Sequence, residues 1–270
     1  MRYQPVGPYE VFSWSIAGNE TCVGVRSGEM RFAFDIGFAP NPMISCDYVF
    51  VSHGHADHVG AIAQHMKKRH LNHLPKASYY LPPCLVEHVR GICKAYAAMS
   101  ELASEGTEFD CPLVPISPGN RMQLPENWIV EAIETHHSVK SQGYILSTRD
   151  RDGQEYPEIA YLGDSRFSVL TEARTNCPAL LSVRLLIMEA TFLDRPERML
   201  ERAVSHGHTH LTELKQNPSL FKSIENIYLI HFSARYNADQ IASLTRTGIP
   251  RWLADRIVPS LCAQRCLTLT

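Results

Sequence analysis

Apolar and polar positions alternate over Tyr9 to Ser15, Thr21 to Arg26 and Met30 to Ile36, with Gly18-Asn19 and Ser27-Gly28 at the breaks. Alternation with period two, interrupted by turn residues, predicts an N-terminal antiparallel meander. The period then changes. Val59, Ile62, Ala63 and Met66 fall three and four apart, which predicts an amphipathic helix reaching His70. A short strand over Ala77 to Leu81 follows. After it, Pro82-Pro83 opens a helix over Leu85 to Ser104, since proline's missing amide costs nothing in a first helical turn. Further on, Trp128 to Thr135, Ile159 to Leu162, Val183 to Met188 and Ile227 to Ile230 read as strands, with helical spacing around residues 196–204, 209–216 and 237–246.

The apolar runs share one property, which is that chemistry sits at their ends. Val49-Phe50-Val51 runs into Ser52-His53-Gly54-His55-Ala56-Asp57-His58, where four donor side chains fall within six positions. Trp128 to Thr135 leads to His136-His137, and the later runs reach Asp164, Glu189 and His231. Residues at corresponding strand ends meet at one edge of a sheet. A solvated loop accounts for one histidine, but not for this density of metal donors. Asp35 also ends an apolar run, but capping a loop is the commoner role for such an aspartate and is the one expected of it.

Composition narrows the class without adding chemistry. The chain has 270 residues, 44% of them hydrophobic and 20% charged, which suits an ordinary globular protein and predicts a single domain over residues 1–270. A formal net charge of −2 provides no global basic field for nucleic acid, so any RNA contact must be local. Lys67-Lys68-Arg69-His70, at the end of a predicted helix, reads as a solvated basic turn favoured by the helix dipole. No run of eighteen apolar residues and no signal-like start is present, so the expected location is the cytoplasm, away from membranes. Eight scattered cysteines without a C-x-x-C pair read as reduced thiols, and Cys262 and Cys266 are one helical turn apart.

Ser52 to Gly60, His137 with Ser141-Gln142-Gly143-Tyr144, Gly163-Asp164-Ser165, Glu189-Ala190-Thr191-Phe192, Gly207-His208 and His231-Phe232-Ser233-Ala234-Arg235-Tyr236 together resemble the signature of the metallo-β-lactamase superfamily. Within it they are most similar to the short-form tRNase Z group, endonucleases that trim tRNA 3′ ends. The resemblance implies an α/β metallo-β-lactamase fold, a four-layer αββα sandwich. It also implies two divalent metal ions, Zn²⁺ or alternatively Mn²⁺, one held by His53, His55 and His137, the other by Asp57, His58 and His231, with Asp164 bridging. His137 is chosen over His136 by its offset from Ser141. Asp57, Glu189 and His208 take the catalytic roles, and Ser233 and Arg235 the substrate phosphate, while His210 receives none. The resemblance further implies a homodimer.

One part of the family pattern is missing. tRNase Z enzymes carry a tRNA-gripping arm between the third histidine and the bridging aspartate, whereas here His137 and Asp164 are only 27 positions apart. The expected substrate is therefore a phosphodiester, either a tRNA 3′ end or, alternatively, a small cyclic nucleotide. A non-catalytic metal-binding scaffold is the remote third reading.

Overall fold

The computed structural model describes residues 2–99 and 107–267. Two seven-stranded sheets form its centre. The first runs in chain order through β1 (Gln4–Val6), β2 (Tyr9–Ile16), β3 (Glu20–Ser27), β4 (Met30–Ile36), β5 (Tyr48–Phe50), β6 (Ser78–Leu81) and β7 (Leu113–Pro115). The second contains β8 (Arg121–Gln123), β9 (Trp128–Thr135), β10 (Ser141–Arg149), β11 (Glu155–Tyr161), β12 (Leu185–Glu189), β13 (Asn226–Ile230) and β14 (Ile257–Pro259). In each sheet an antiparallel meander passes into parallel strands, β4 to β7 and β11 to β14.

Three apolar clusters define the layers. One, including Phe34, Phe50, Tyr144, Tyr161 and Ile187, lies between the sheets. Another covers the outer face of the first sheet, where α1 (Asn41–Ile44), α2 (Ala56–Val59), α3 (Ile62–Leu71) and α4 (Val86–Met99) contribute Met43, Val59, Ile62 and Val89. The third covers the outer face of the second sheet beneath α5 (Ser168–Asn176), α7 (Leu211–Gln216), α8 (Ala238–Leu244) and α9 (Arg251–Ala254). Between Phe192 and α7 lies α6 (Pro196–His206), and α10 (Cys262–Leu267) closes the described chain. The result is the expected αββα sandwich. Among the described residues, no helix is long and apolar enough to cross a membrane.

Aromatic residues link this core to the loops above it. Phe50 lies 5.6 Å from Phe34, 5.0 Å from Tyr80 and 5.2 Å from Tyr144, ring centre to ring centre, and Tyr161 is 4.9 Å from Phe34. Each such pair adds about 0.5–1.5 kcal/mol beyond burial. The tyrosine hydroxyls then need partners, and they find them at strand ends: Tyr144 donates to the Val51 carbonyl (2.6 Å) and Tyr161 to Asp35 Oδ2 (2.5 Å). Core packing therefore fixes the loop that begins at Val51.

Several elements depart from the sequence reading. The helix expected from Val59 to His70 is two helices, α2 and α3, with Gly60 and Ala61 between them. The helix after Pro83 ends its described part at Met99, and residues 100–104 of its predicted span lie outside the described residues. The helix α5 had not been expected. Arg69 is a correction to the solvated basic turn, because it is 2% exposed and donates to the carbonyls of Ile44, Cys46 and Pro75 and to Asp47 Oδ1. Lys67 pairs with Glu108.

Candidate metal centre

The strands that carry the chemistry point the same way. β4 and β5 are parallel, as are β11, β12 and β13, and β9 shares the direction of β11 because both run antiparallel to β10. Their C-terminal ends meet at one edge, where β5 leads to His53, β9 to His137, β11 to Asp164, β12 to Glu189 and β13 to His231. At the end of β4, Gly37 makes this edge compact, since a Cβ there would lie 1.7 Å from the Asp57 carbonyl oxygen. Only glycine lets the backbone approach α2 so closely.

The structure brings the seven expected ligands together. Donor atoms of His53, His55, His137 and Asp164 all lie within 4.8 Å of one another, as do those of Asp57, His58 and His231. Asp164 joins the groups, with Oδ1 3.3 Å from His58 Nε2 and Oδ2 3.2 Å from His231 Nε2. His55 Nδ1 is 3.0 Å from His53 Nε2 and 3.3 Å from His137 Nε2.

Four imidazoles are oriented through their other nitrogen. Nδ1 of His53 meets Ser52 Oγ (2.9 Å), that of His58 meets Asp35 Oδ2 (2.6 Å), that of His137 meets the Gly207 carbonyl (2.9 Å) and that of His231 meets Thr191 Oγ1 (2.9 Å). Nε2 is thereby directed into the shared space, an arrangement typical of metal-ligating histidine. Among the described residues, His58 Nε2, His231 Nε2 and Asp164 Oδ1 are buried and none makes a well-formed hydrogen bond. Orphaned polar atoms facing one another cost free energy unless something occupies the space between them, and a cation does. The donor set therefore fits divalent metal.

Charge supports the same fit. Burial works against the ionised forms of Asp57 and Asp164, but His231 and His58 outweigh it and hold both carboxyls below the usual range. Burial also lowers the pKa values of His53 and His137, so both imidazoles are neutral, the form that binds metal. His58 is buried too, yet Asp164 and Asp35 raise its pKa, so without metal it retains a proton that a cation would displace.

Beside this cluster stands a second pair. Glu189 is fully buried and accepts from Ser165 N (2.9 Å), Thr191 N (3.3 Å) and Thr191 Oγ1, while its Oε1 meets His208 Nδ1 at 2.9 Å. The His208 ring stacks on His231 with centroids 5.4 Å apart. Burial disfavours the charged ring, but Glu189 more than compensates and brings the His208 pKa to about 9.

Residues around the centre divide clearly. His136 bonds Ser168 Oγ and lies 3.6 Å from Glu172, away from the ligand groups. His210 caps α7 in a reciprocal arrangement with Glu213, so its role is structural. Ser233 lines the cleft. Arg235, expected at the substrate phosphate, is instead engaged by Asp194 and by the Tyr236 hydroxyl and does not line the cleft. Asp35 is also corrected. It is no loop cap but a fully buried carboxylate that accepts from Ser52 N, Ser52 Oγ and Tyr161 Oη and binds His58. Thr191 was missed as well. The signal for Asp35 was present in the sequence, since it too ends an apolar strand at this edge.

A family model described as the beta-lactamase superfamily domain matches residues 23–232. Among curated relatives, tRNase Z TRZ1 of Arabidopsis thaliana is 31% identical over 274 aligned residues, covering 92% of this chain and 94% of that protein. The chloroplastic tRNase Z TRZ2 of the same plant is 30% identical over 258 residues, covering 86% and 70%. Of the solved structures, human short-form tRNase Z superimposes with a TM-score of 0.62 at 20% identity over 84% of this chain and 93% of that one. The metallo-beta-lactamase fold protein YhfI from Bacillus subtilis gives 0.63 at 16% identity over 93% and 96%. At those identities the two structures show the fold alone.

Proposed function

The chain belongs to the beta-lactamase superfamily and, within it, to the tRNase Z family, and on that premise we propose that it is a two-metal phosphodiesterase that cuts precursor tRNA at the 3′ side. The observation that carries this reading is the 2.9 Å contact between His208 and the buried Glu189, beside the ligand cluster. Hydrolysing a phosphodiester expels an alkoxide, which needs a proton at neutral pH. Lactone and thioester hydrolysis make little use of such a pair.

His53, His55 and His137 would hold one cation and Asp57, His58 and His231 the other, with Asp164 shared. Zn²⁺ suits this mixture of imidazole and carboxylate, and Mn²⁺ is the alternative. When bound, two such cations acidify a water molecule and neutralise charge on the phosphoryl oxygens. The chain supplies the remaining chemistry. Asp57 Oδ2, fixed by the Gly18 amide at 3.1 Å, accepts a proton from the attacking water. His208, kept protonated by Glu189, donates from Nε2 to the departing oxygen. Ser233 contacts the substrate at the cleft wall. A cytoplasmic homodimer is the setting this reading carries with it.

A second reading keeps the chemistry and changes the substrate to a small cyclic nucleotide. It is favoured by the span between His137 and Asp164, which contains β10, one turn and β11 and has no arm. Side-by-side turnover by one metal-loaded preparation separates the two. Cleavage of a precursor tRNA at its acceptor end, with cyclic mononucleotides inert, is the expected result; the converse would establish the small-substrate enzyme.

A further inference from the structure

Any phosphodiesterase that acts on a polynucleotide meets more than one phosphate, and the cleft above the ligand cluster is small. Its volume is about 370 Å³, near the lower end for a small-ligand site, which is room for a nucleotide-sized group but not for a strand. The rest of an RNA strand must cross the rim. A helix that contributes to its lining is α6, whose Arg202 and His206, one helical turn apart, both line the cleft.

Three observations single out Arg202. It is the only lysine or arginine lining this cleft among the described residues, in a lining that also contains Asp57 and Asp164. Its guanidinium makes no hydrogen bond or ion pair with any described residue, whereas Arg235 is occupied by Asp194 and Tyr236. And α6 is fixed to the centre at its C-terminal end, where Gly207 binds His137 through its carbonyl and His208 binds Glu189. An exposed, uncommitted guanidinium on an anchored helix is suited to a phosphate oxygen, which it can bind through two parallel N–H groups.

We propose that Arg202 is the phosphate-binding arginine of this cleft, and that by gripping the phosphate next to the scissile one it favours polynucleotides over single-phosphate diesters. The inference rests on reading the site as a phosphodiesterase, and it assigns part of the missing arm's task to α6. Arg202 is a specificity residue here, not a participant in bond cleavage.

Binding provides a test independent of turnover. The affinity of the metal-loaded protein for a short fluorescent RNA with phosphorothioate linkages is measured by anisotropy across a salt series, for the wild type, Arg202→Ala and Arg202→Lys. Losing one phosphate contact to a single strand should reduce the slope of log K against log salt by about 0.7, with affinity about tenfold weaker at low salt. Arg202→Lys, which keeps the charge, should retain the slope. In parallel, kcat/KM of Arg202→Ala should fall about tenfold further on a trailer-bearing RNA than on bis(p-nitrophenyl) phosphate. Equal slopes and affinities in the wild type and Arg202→Ala would overturn the proposal, as would a wild type that binds no RNA. If the wild type binds RNA through Arg202 but leaves precursor tRNA uncut, the tRNA reading falls and the phosphate grip stands. If precursor tRNA is cut equally well by Arg202→Ala, only the grip falls.

Discussion

Gly207 and His137 are locked together: the Gly207 carbonyl binds His137 Nδ1 at 2.9 Å, and a Cβ on Gly207 would lie 2.7 Å from that same nitrogen. Gly207 also has φ +79°, which side-chain-bearing residues adopt at a cost. Gly207→Ala should therefore displace His137. The expected outcome is a 10- to 100-fold loss of metal affinity, the usual size for disturbing a partner of a metal ligand. Competition with a chromogenic chelator checks it; unchanged affinity would mean that His137 is positioned in some other way.

The His208–Glu189 pair predicts a dependence on the leaving group. His208→Ala should slow diesters with poor leaving groups by roughly 10²- to 10⁴-fold, but scarcely affect those that depart as stable phenolates. Glu189→Gln should act in the same direction. A plot of log rate against leaving-group pKa measures this, and parallel lines for wild type and variant would remove the proton-donor role.

Asp35 makes a prediction of its own. Its Oδ2 accepts from Ser52 Oγ and Tyr161 Oη and binds His58 Nδ1, and Oδ1 accepts from Ser52 N. In Asp35→Asn one of these acceptors becomes a donor facing another donor, and His58 loses its carboxylate. We expect destabilisation of about 1–3 kcal/mol in urea and weaker binding of the second metal equivalent. Full stability with unchanged metal binding would contradict the part given to Asp35.

The sequence reveals what is local and conceals what is assembled. The histidine-rich loop after β5 was legible because its donors are close together in the chain, and the other clustered donors because each follows an apolar strand. Asp35 was misassigned because its partners, Ser52, His58 and Tyr161, lie 17, 23 and 126 positions away. The helix break at Gly60 was missed for a different reason: Val59 and Ile62 keep helical spacing across it. The pairing of Arg235 was hidden because a motif names a residue but not its neighbours, and Asp194 lies 41 positions earlier.

Stability should depend on pH through a histidine outside the cleft. His65 is fully buried between Tyr79 Oη (2.7 Å) and the Met43 carbonyl (3.0 Å), and burial lowers its pKa from 6.5 to about 4. Between those values the unfolded chain binds a proton that the folded chain refuses, so stability falls as pH drops from 6.5 toward 4 and levels off below. The loss is on the order of 3 kcal/mol. His65→Gln cannot titrate, so its deficit relative to wild type in urea should shrink between about pH 7 and pH 4.5. A constant deficit would show that His65 has no part in the pH dependence.

In the proposed mechanism, seven side chains at one sheet edge hold two cations that act together on a phosphodiester. Titrating metal-free protein with Zn²⁺ or Mn²⁺ while following cleavage of precursor tRNA tests it most directly. We predict that activity rises to a maximum at two equivalents per chain, and that Asp164→Ala abolishes it. Full activity at one equivalent, or in the presence of excess chelator, would rule out a two-cation centre.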